Sequence, residues 1–347
     1  MNLSEQLKQG RTLPGNWYTD LDIFKLEKKN IFEKMWNYAG PAHQLVNPGD
    51  YLTCTVAGHI PVIVVRNDSG ELNAFINVCR HRGSRMVSCD HGQRKSIQCQ
   101  YHAWTWNLDG ELQAAPSTGD NPCFAKQDYP LHKIAVTEWG PFVFVNLNPN
   151  PMPFEEMIAG LPEAIAETSI SLSNLKHHQQ LRYDINANWK LTVENYLECY
   201  HCPIAHPQLV KIVRMDDYTV YPDKYFSVQK CSLKGDPKDL LRGAGSFVWP
   251  SFTVNIYPGI INISSTIYEP ISPNKTRAVY DVYFPEGVSD TDKKSVVDFL
   301  DQVQKEDTAL CEAVQLGCES GYYSQGHLVL AKENGVQHFQ RLVHEAL

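Results

Sequence analysis

CRHRGSRMVSCDHGQRKSIQCQYHAW, residues 79–104, places three cysteines and three histidines in one hydrophilic stretch. Cys79 and His81 form Cys-x-His, Cys99 and His102 form Cys-x-x-His, and seventeen residues separate the two halves. β-rich runs precede it (YLTCTV, PVIVVR, LNAFINV), and NDSG (67–70) and NLDG (107–110) read as hairpin-type turns. Each half therefore sits where a strand gives way to a turn, and two such tips could clamp one centre.

Two thiols and two imidazoles are compatible with tetrahedral zinc. Zinc fingers, however, pair Cys with Cys and His with His and continue into a helix. Here each half carries one of each, between strands. That suits a binuclear iron–sulfur centre with two cysteines on one iron and two histidines on the other. Exchanging two thiolates for neutral imidazoles removes negative charge, raising the potential to roughly −150 to +300 mV. Structural zinc stays open as the alternative. Cys89 and His91, between the halves, read as structural residues. Tyr101, Trp104 and Trp106 are candidates to cover the second loop, or ordinary core.

A chain of 347 residues is long for one core, so two domains are expected. With 31 basic and 39 acidic residues the net charge is −8, which argues against a nucleic-acid binder. No apolar run approaches the length of a membrane span, and MNLSEQLKQGRTLPGNW has no apolar segment like a signal peptide. Ten cysteines in such a chain suggest a reducing compartment and thiolates serving as ligands rather than crosslinks. The expectation is a soluble cytoplasmic protein.

NLNPNPMPF (146–154) marks the boundary between an all-β first domain and a second built of antiparallel sheet and helices, α+β overall. A helix is expected from about Asn188, carrying WKLTVENYLECY. Strands follow in FTVNIYP, IINISSTIYEP and RAVYDVYF, and a long closing helix runs from the capping cluster SDTD (289–292) to about Gly321. His201 and His206 are five apart, and on one uninterrupted helix they would diverge by about 140°. Pro203 argues against that, placing His201 at a helix end and His206 in the next turn or helix, from where both rings could converge on an ion. In the closing helix Val296, Leu300, Val303, Leu310 and Val314 form an apolar seam whose gap is Asp307. A carboxylate on a buried stripe needs a cation or hydrogen bonds. The alternative is a locally paired Asp at an exposed position. Glu306 and Glu312 fall off the seam. Two histidines and one carboxylate on one face of an iron leave positions for O₂ and substrate.

CRHRG…CQYHAW resembles the [2Fe–2S] motif of Rieske non-haem iron oxygenases. LPGNWYTDLDIFKLEKKNIFEKMWNYAG resembles the leader of their large (α-type) subunits, ENYLECYHCPIAH their mononuclear iron motif, and EDTALCEAVQ the segment with the third ligand; the resemblance spans nearly the whole chain. It implies a helical leader over 1–37 packing on the catalytic domain, a Rieske domain over 38–150 and a helix-grip catalytic domain over 151–347. It also implies a cluster held by Cys79, His81, Cys99 and His102, and a mononuclear Fe(II) held by His201, His206 and Asp307. An NAD(P)H-dependent flavin/iron–sulfur reductase would supply electrons one at a time, and O₂ would be the co-substrate. In the family the two centres used together lie on neighbouring subunits of a homotrimer. A carboxylate bridges them, here Glu198 toward His102 of a neighbour, with Asn195 as a further candidate catalytic residue. Most of the family has Asp at the position of Glu198, and the Asn195–His201 interval is one residue short of the aromatic-dioxygenase branch. Both features resemble the branch acting on carnitine, glycine betaine and other quaternary ammonium compounds, with C–N cleavage or N-demethylation. Trp249, Phe252, Tyr257, Tyr268 and Tyr280 are the candidate pocket aromatics. Hydroxylation of a small aromatic substrate is the alternative. A Rieske electron carrier and a zinc-stabilised binding module are the readings outside enzymes.

Overall fold

The structure, a computed structural model, describes residues 2–119, 121–168, 170–234, 244–257 and 260–347. The chain divides into two compact units, Phe32–Pro151, and Met1–Ile31 together with Met152–Leu347. No helix among the described residues is long and apolar enough to cross a membrane.

The Phe32–Pro151 unit is all-β. Its strands are β1 (Asn37–Pro41), β2 (Asp50–Val56), β3 (Ile60–Arg66), β4 (Leu72–Ile76), β5 (His91–Gln93), β6 (Ile97–Gln98), β7 (Thr105–Trp106), β8 (Leu112–Ala114), β9 (Lys133–Trp139) and β10 (Phe142–Asn146). Seven of them pair in the order β1-β10-β9-β4-β3-β2-β5, and β6-β7-β8 form a separate small sheet. The core beneath that sheet, including Phe75, Ile97, Trp106 and Leu131, also contains Cys79 and Cys99. The hairpin at NDSG turns on Gly70 (φ 87°) and that at NLDG on Gly110 (φ 88°), where glycine alone enters the left-handed region freely.

The other unit is α+β. Its sheet comprises β11 (Leu175–Ile185), β12 (Thr219–Pro222), β13 (Phe226–Lys230), β14 (Ala244–Val248), β15 (Phe252–Ile256), β16 (Ile263–Ser272) and β17 (Lys275–Pro285), all antiparallel in the order β11-β17-β16-β15-β14-β13-β12. Pro258, the last residue of the FTVNIYP run, lies outside the described residues. The β16–β17 hairpin closes on Pro273-Asn274, with Ser272 opposite Lys275, and this register sets Thr266 beside Tyr280.

The helix expected from Asn188 spans Trp189–Tyr196, with the Asn188 side chain accepting the Lys190 N–H. The long helix spans Asp290–Glu319, and the Ser289 side chain caps it by accepting the Asp292 N–H. It does not close the chain, because Leu330–Ala346 forms another helix. Its buried stripe also differs from the apolar seam. Leu310 and Val314 are exposed, whereas Val296, Leu300, Gln304, Cys311, Gln315 and Cys318 are buried. The glutamines can be buried because their amides are satisfied. Gln304 bonds the Tyr280 hydroxyl and Thr308 Oγ1 (3.0 Å), and Gln315 Oε1 accepts the Asn188 N–H at 2.9 Å. Asp307 lies on this stripe between Gln304 and Cys311, so it faces inward on a half-polar stripe.

Candidate metal centres and active site

Two loops of the Phe32–Pro151 unit hold the first donor set, and they close in the same way. Cys79 N–H donates to Ser84 O at 2.8 Å and Gly83 N–H to Cys79 O at 3.0 Å; Cys99 N–H donates to Trp104 O at 2.8 Å and Ala103 N–H to Cys99 O at 3.0 Å. Four residues after each cysteine the backbone is left-handed, at Gly83 (φ 73°) and Ala103 (φ 56°). For a non-glycine residue that costs roughly 1–2 kcal/mol, so the surrounding loop must hold Ala103 there. The sulfurs point inward, with Cys79 4% and Cys99 1% exposed. His81 and His102 are exposed, their ring centroids 4.7 Å apart. Trp104 stacks on His81 at 4.9 Å, exposed Tyr101 stacks on His102 at 3.9 Å, and Trp106 is core.

Burial pushes the Cys79 thiol up, and Cys99 lies within its hydrogen-bonding reach. A metal that takes up thiolates removes that penalty. Two thiols buried side by side beneath two exposed imidazoles fit a cluster with sulfur ligands on an inner iron and imidazoles on an outer one. Cys89 is exposed and His91 lies on β5.

The second donor set is built around a broken helix. After Leu197 the Glu198 carboxylate accepts the N–H groups of Tyr200 and His201, which turns the chain. Pro203 then opens the short Cys202–Ala205 helix, with His201 at its start and His206 at its end. His201 Nε2 and His206 Nε2 stand 3.2 Å apart, and Asp307 Oδ1 lies 3.4 Å from the first and 3.0 Å from the second. Donors about 2.1 Å from an ion and roughly 90–109° apart around it are separated by about 3.0–3.4 Å. The triangle matches that spacing.

The outer partners fix the tautomers. His201 Nδ1 donates to Glu198 Oε1, and His206 Nδ1 donates to Glu306 Oε2 at 2.8 Å. Both Nε2 lone pairs therefore face Asp307 Oδ1, a buried oxygen without a hydrogen-bond partner. Three lone pairs converging on one point need a cation there. Without one, protons take its place. Burial opposes charge on both rings, yet Asp307 and Glu198 hold His201 up at about 9, and Asp307 and Glu306 raise His206. Burial works to raise Asp307, but the two histidines bring it down. Asn195 Nδ2 is 3.5 Å from His201 Nε2. Cys202 also lies beside the two histidines, but its sulfur is bonded to Cys199, so it is no ligand. This disulfide departs from the expectation that cysteines serve as ligands rather than crosslinks, because the turn at His201 brings the two Cα atoms to 5.0 Å.

A cavity of about 150 Å³ adjoins the three donors, and its wall includes Tyr218, Tyr257, Tyr268, Tyr280 and Gln304. The hydroxyl of Tyr218 is committed to Gln229 Oε1 (2.7 Å) and that of Tyr280 to Gln304. Burial pushes all four phenols up, so they stay neutral. Of the aromatics expected to line a pocket, Trp249 instead packs on Trp189 and Phe339, and Phe252 is buried outside the cavity wall. Glu306 and Tyr218 escaped sequence reasoning. Glu306 adjoins a ligand in sequence, which was the available signal, but a position off the apolar seam hid it.

Comparison with known proteins follows the same division. The Rieske [2Fe-2S] domain family matches residues 35–126, and the ring hydroxylating alpha subunit (catalytic domain) family matches residues 172–347. The carnitine monooxygenase oxygenase subunit of Acinetobacter baumannii is 33% identical, with 96% of this chain and 94% of that protein covered. The chloroplastic choline monooxygenase of Amaranthus tricolor is 32% identical, covering 98% of this chain and 78% of that one. The crystal structure of a quaternary ammonium Rieske monooxygenase with L-carnitine superposes with a TM-score of 0.89 at 30% identity, covering 99% and 97% of the two chains.

Proposed function

The chain belongs to the ring-hydroxylating Rieske oxygenases, as a large catalytic subunit, and we propose that it hydroxylates a small quaternary ammonium compound of the carnitine or betaine type. The observation that carries this reading is the wall of the cavity beside His201, His206 and Asp307. Its described residues include tyrosines with committed hydroxyls and the Glu198 and Asp307 carboxylates, and no lysine or arginine. Ring faces attract a desolvated cation by about 0.5–2 kcal/mol each, and a quaternary methylammonium head, which has no N–H to donate, leaves the hydrogen bonds already made undisturbed.

Cys79, His81, Cys99 and His102 would hold the [2Fe–2S] cluster, and His201, His206 and Asp307 the Fe(II). When bound, these groups supply electron transfer and O₂ activation, with electrons from NAD(P)H through a reductase. The chain does the rest. The tyrosine wall holds the substrate's nitrogen so that one adjacent C–H faces the three-donor site. Hydroxylation of a carbon bonded to nitrogen gives a product that breaks down with C–N cleavage. Residues 38–150 would be the cluster domain, 151–347 the catalytic domain and 1–37 its leader, in a cytoplasmic homotrimer. Glu198, holding His201 Nδ1, would bridge to His102 of a neighbouring subunit as a positioning residue for electron transfer, with Asn195 a further candidate catalytic residue beside His201.

The test is a panel of quaternary ammonium and aromatic compounds with a surrogate reductase, scored by NADH and O₂ consumption and by released amine. Coupled turnover of aromatics alone would overturn the substrate class. In Glu198→Gln, single-turnover reoxidation of the reduced cluster by substrate and O₂ should slow while both metals stay bound. Unchanged reoxidation would remove the bridge.

A further inference from the structure

A second and larger cavity, about 490 Å³, adjoins the iron-site helix. Asn195, Glu198 and His201 belong to its wall as well as to that of the substrate cavity. The rest of its lining is mostly apolar, including Leu191, Leu310, Val314 and Val336. Among these apolar groups stands the carboxyl of Glu194, in the last turns of the Trp189–Tyr196 helix and four residues before Glu198.

The surroundings of Glu194 fix how it is bonded. Gln340 Oε1 accepts the Leu13 N–H at 3.0 Å, so its Nε2 donates to Glu194 Oε1 at 3.1 Å and to the Tyr18 hydroxyl oxygen at 3.2 Å. Tyr18 therefore spends its own proton on Glu194, at 2.9 and 3.2 Å from the two carboxylate oxygens. Among the described residues no cation stands at ion-pair distance from it, and Lys190, whose charge acts on it from farther off, has its Nζ bound to Glu27 Oε1 and Asn188 Oδ1. The titratable groups facing it are Tyr18 and Glu27 from the N-terminal segment, Lys190 from its own helix, Cys311 and Cys318 from the Asp290–Glu319 helix, and Tyr323 beyond. Glu333 of the last helix shares the cavity. Burial pushes the phenols of Tyr18 and Tyr323 and both thiols up, so they stay neutral. Burial first, opposed by the bonds from Tyr18 and Gln340, brings Glu194 up to about 7. It can thus lose and regain a proton at neutral pH.

We propose that Glu194 is the proton reservoir of the oxygenase site, a positioning residue that delivers, through the cavity it shares with Glu198 and His201, one of the two protons the reaction consumes. The proposal rests on the monooxygenase reading above: R–H + O₂ + 2 e⁻ + 2 H⁺ → R–OH + H₂O, with the electrons drawn from the reductase. Glu194 passes from carboxylic acid to carboxylate as it gives up its proton. The anion left in an apolar wall is disfavoured, so it recovers a proton from solvent water before the next turnover.

Infrared pH titration of the isolated protein tests the reservoir without any substrate. A carboxylic acid C=O band should titrate near neutrality and vanish in Glu194→Gln. In single turnover, Glu194→Gln should form product about 10²-fold more slowly, lose the pH dependence near neutrality and release reduced oxygen as peroxide, with iron and cluster content unchanged. Glu194→Asp should recover part of the rate. Should Glu194→Gln fail to fold, Tyr18→Phe removes a donor that stabilises the carboxylate, and both the band and the pH profile should move upward together. The absence of a band lost in Glu194→Gln, or an unmoved midpoint in Tyr18→Phe, overturns the proposal. Failure of the whole quaternary ammonium panel leaves the infrared result standing and points to the substrate assignment instead.

Discussion

Removing Glu306 should loosen the mononuclear iron without touching any ligand. Its carboxylate accepts from His206 Nδ1 at 2.8 Å, and this leaves Nε2 as the lone pair that faces Asp307. His206 is 2% exposed and Glu306 22%, so the bond is largely shielded from water. A hydrogen bond to a charged group contributes about 1.5–3 kcal/mol. The partial exposure of Glu306 favours the lower half of that range. At about 1.4 kcal/mol per decade this is a roughly 10–50-fold loss of Fe(II) affinity in Glu306→Ala, within the 10–100-fold range typical of residues that orient metal ligands. Glu306→Gln keeps an acceptor but loses the charge, so its loss should be smaller. The assay is anaerobic competition for Fe(II) against a chromophoric chelator. The visible absorbance of the cluster serves as internal control, since its donors lie in the other unit. An affinity in Glu306→Ala within twofold of the parent protein, with the cluster intact, refutes the argument that the second ring nitrogen of His206 needs its carboxylate.

Cys79→Ser or His102→Ala should bleach the visible spectrum while Fe(II) binding at His201, His206 and Asp307 persists; a full spectrum in either variant would show the donor set to be wrong. Asp307→Ala should keep the cluster and lose more than about 10²-fold in oxygen insertion, since a direct ligand matters more than an orienting residue; retained turnover contradicts this. Iron loading of the metal-free protein should strengthen with rising pH, because protons occupy the site while His201 is held at about 9 and His206 is raised. Each proton displaced adds roughly tenfold per pH unit below that value. Calorimetry in buffers of different ionisation enthalpy counts those protons, and a release of zero at neutral pH would disprove it. The same raised histidines stabilise the metal-free fold fully below the ordinary value of 6.5, and that stabilisation fades as pH rises through about 9.

Much of this protein is legible along the chain because its determinants are local. The donor types and spacings at Cys79–His102 state a mixed thiol–imidazole centre, and the strand–turn rhythm around them states the hairpin tips that hold it. Asn188 and Ser289 announce the two site-bearing helices, each side chain accepting an N–H of the first turn. Pro203 announces the break that separates His201 from His206. Asp307 was legible too, though through a seam only half of which is buried.

What lay beyond reach was decided by convergence across long stretches of chain. Leu310 and Val314 look like core, yet they border the larger cavity, while Gln304 and Gln315 are buried because their partners come from Tyr280 and Asn188. Hydropathy measures a side chain's own transfer cost, whereas a buried amide is tolerated when distant partners satisfy it. Glu306 acquires its role only when the Asp290–Glu319 helix lies against His206, a hundred residues away. For the same reason Tyr257, Tyr268 and Tyr280 reach the cavity while Trp249 and Phe252 do not. Glu194 reads as an ordinary helix carboxylate until Tyr18 and Gln340, from opposite ends of the chain, close around it. Residue type and short-range spacing name the chemistry, but burial and partners arise from packing, and packing sets which of several like residues performs it.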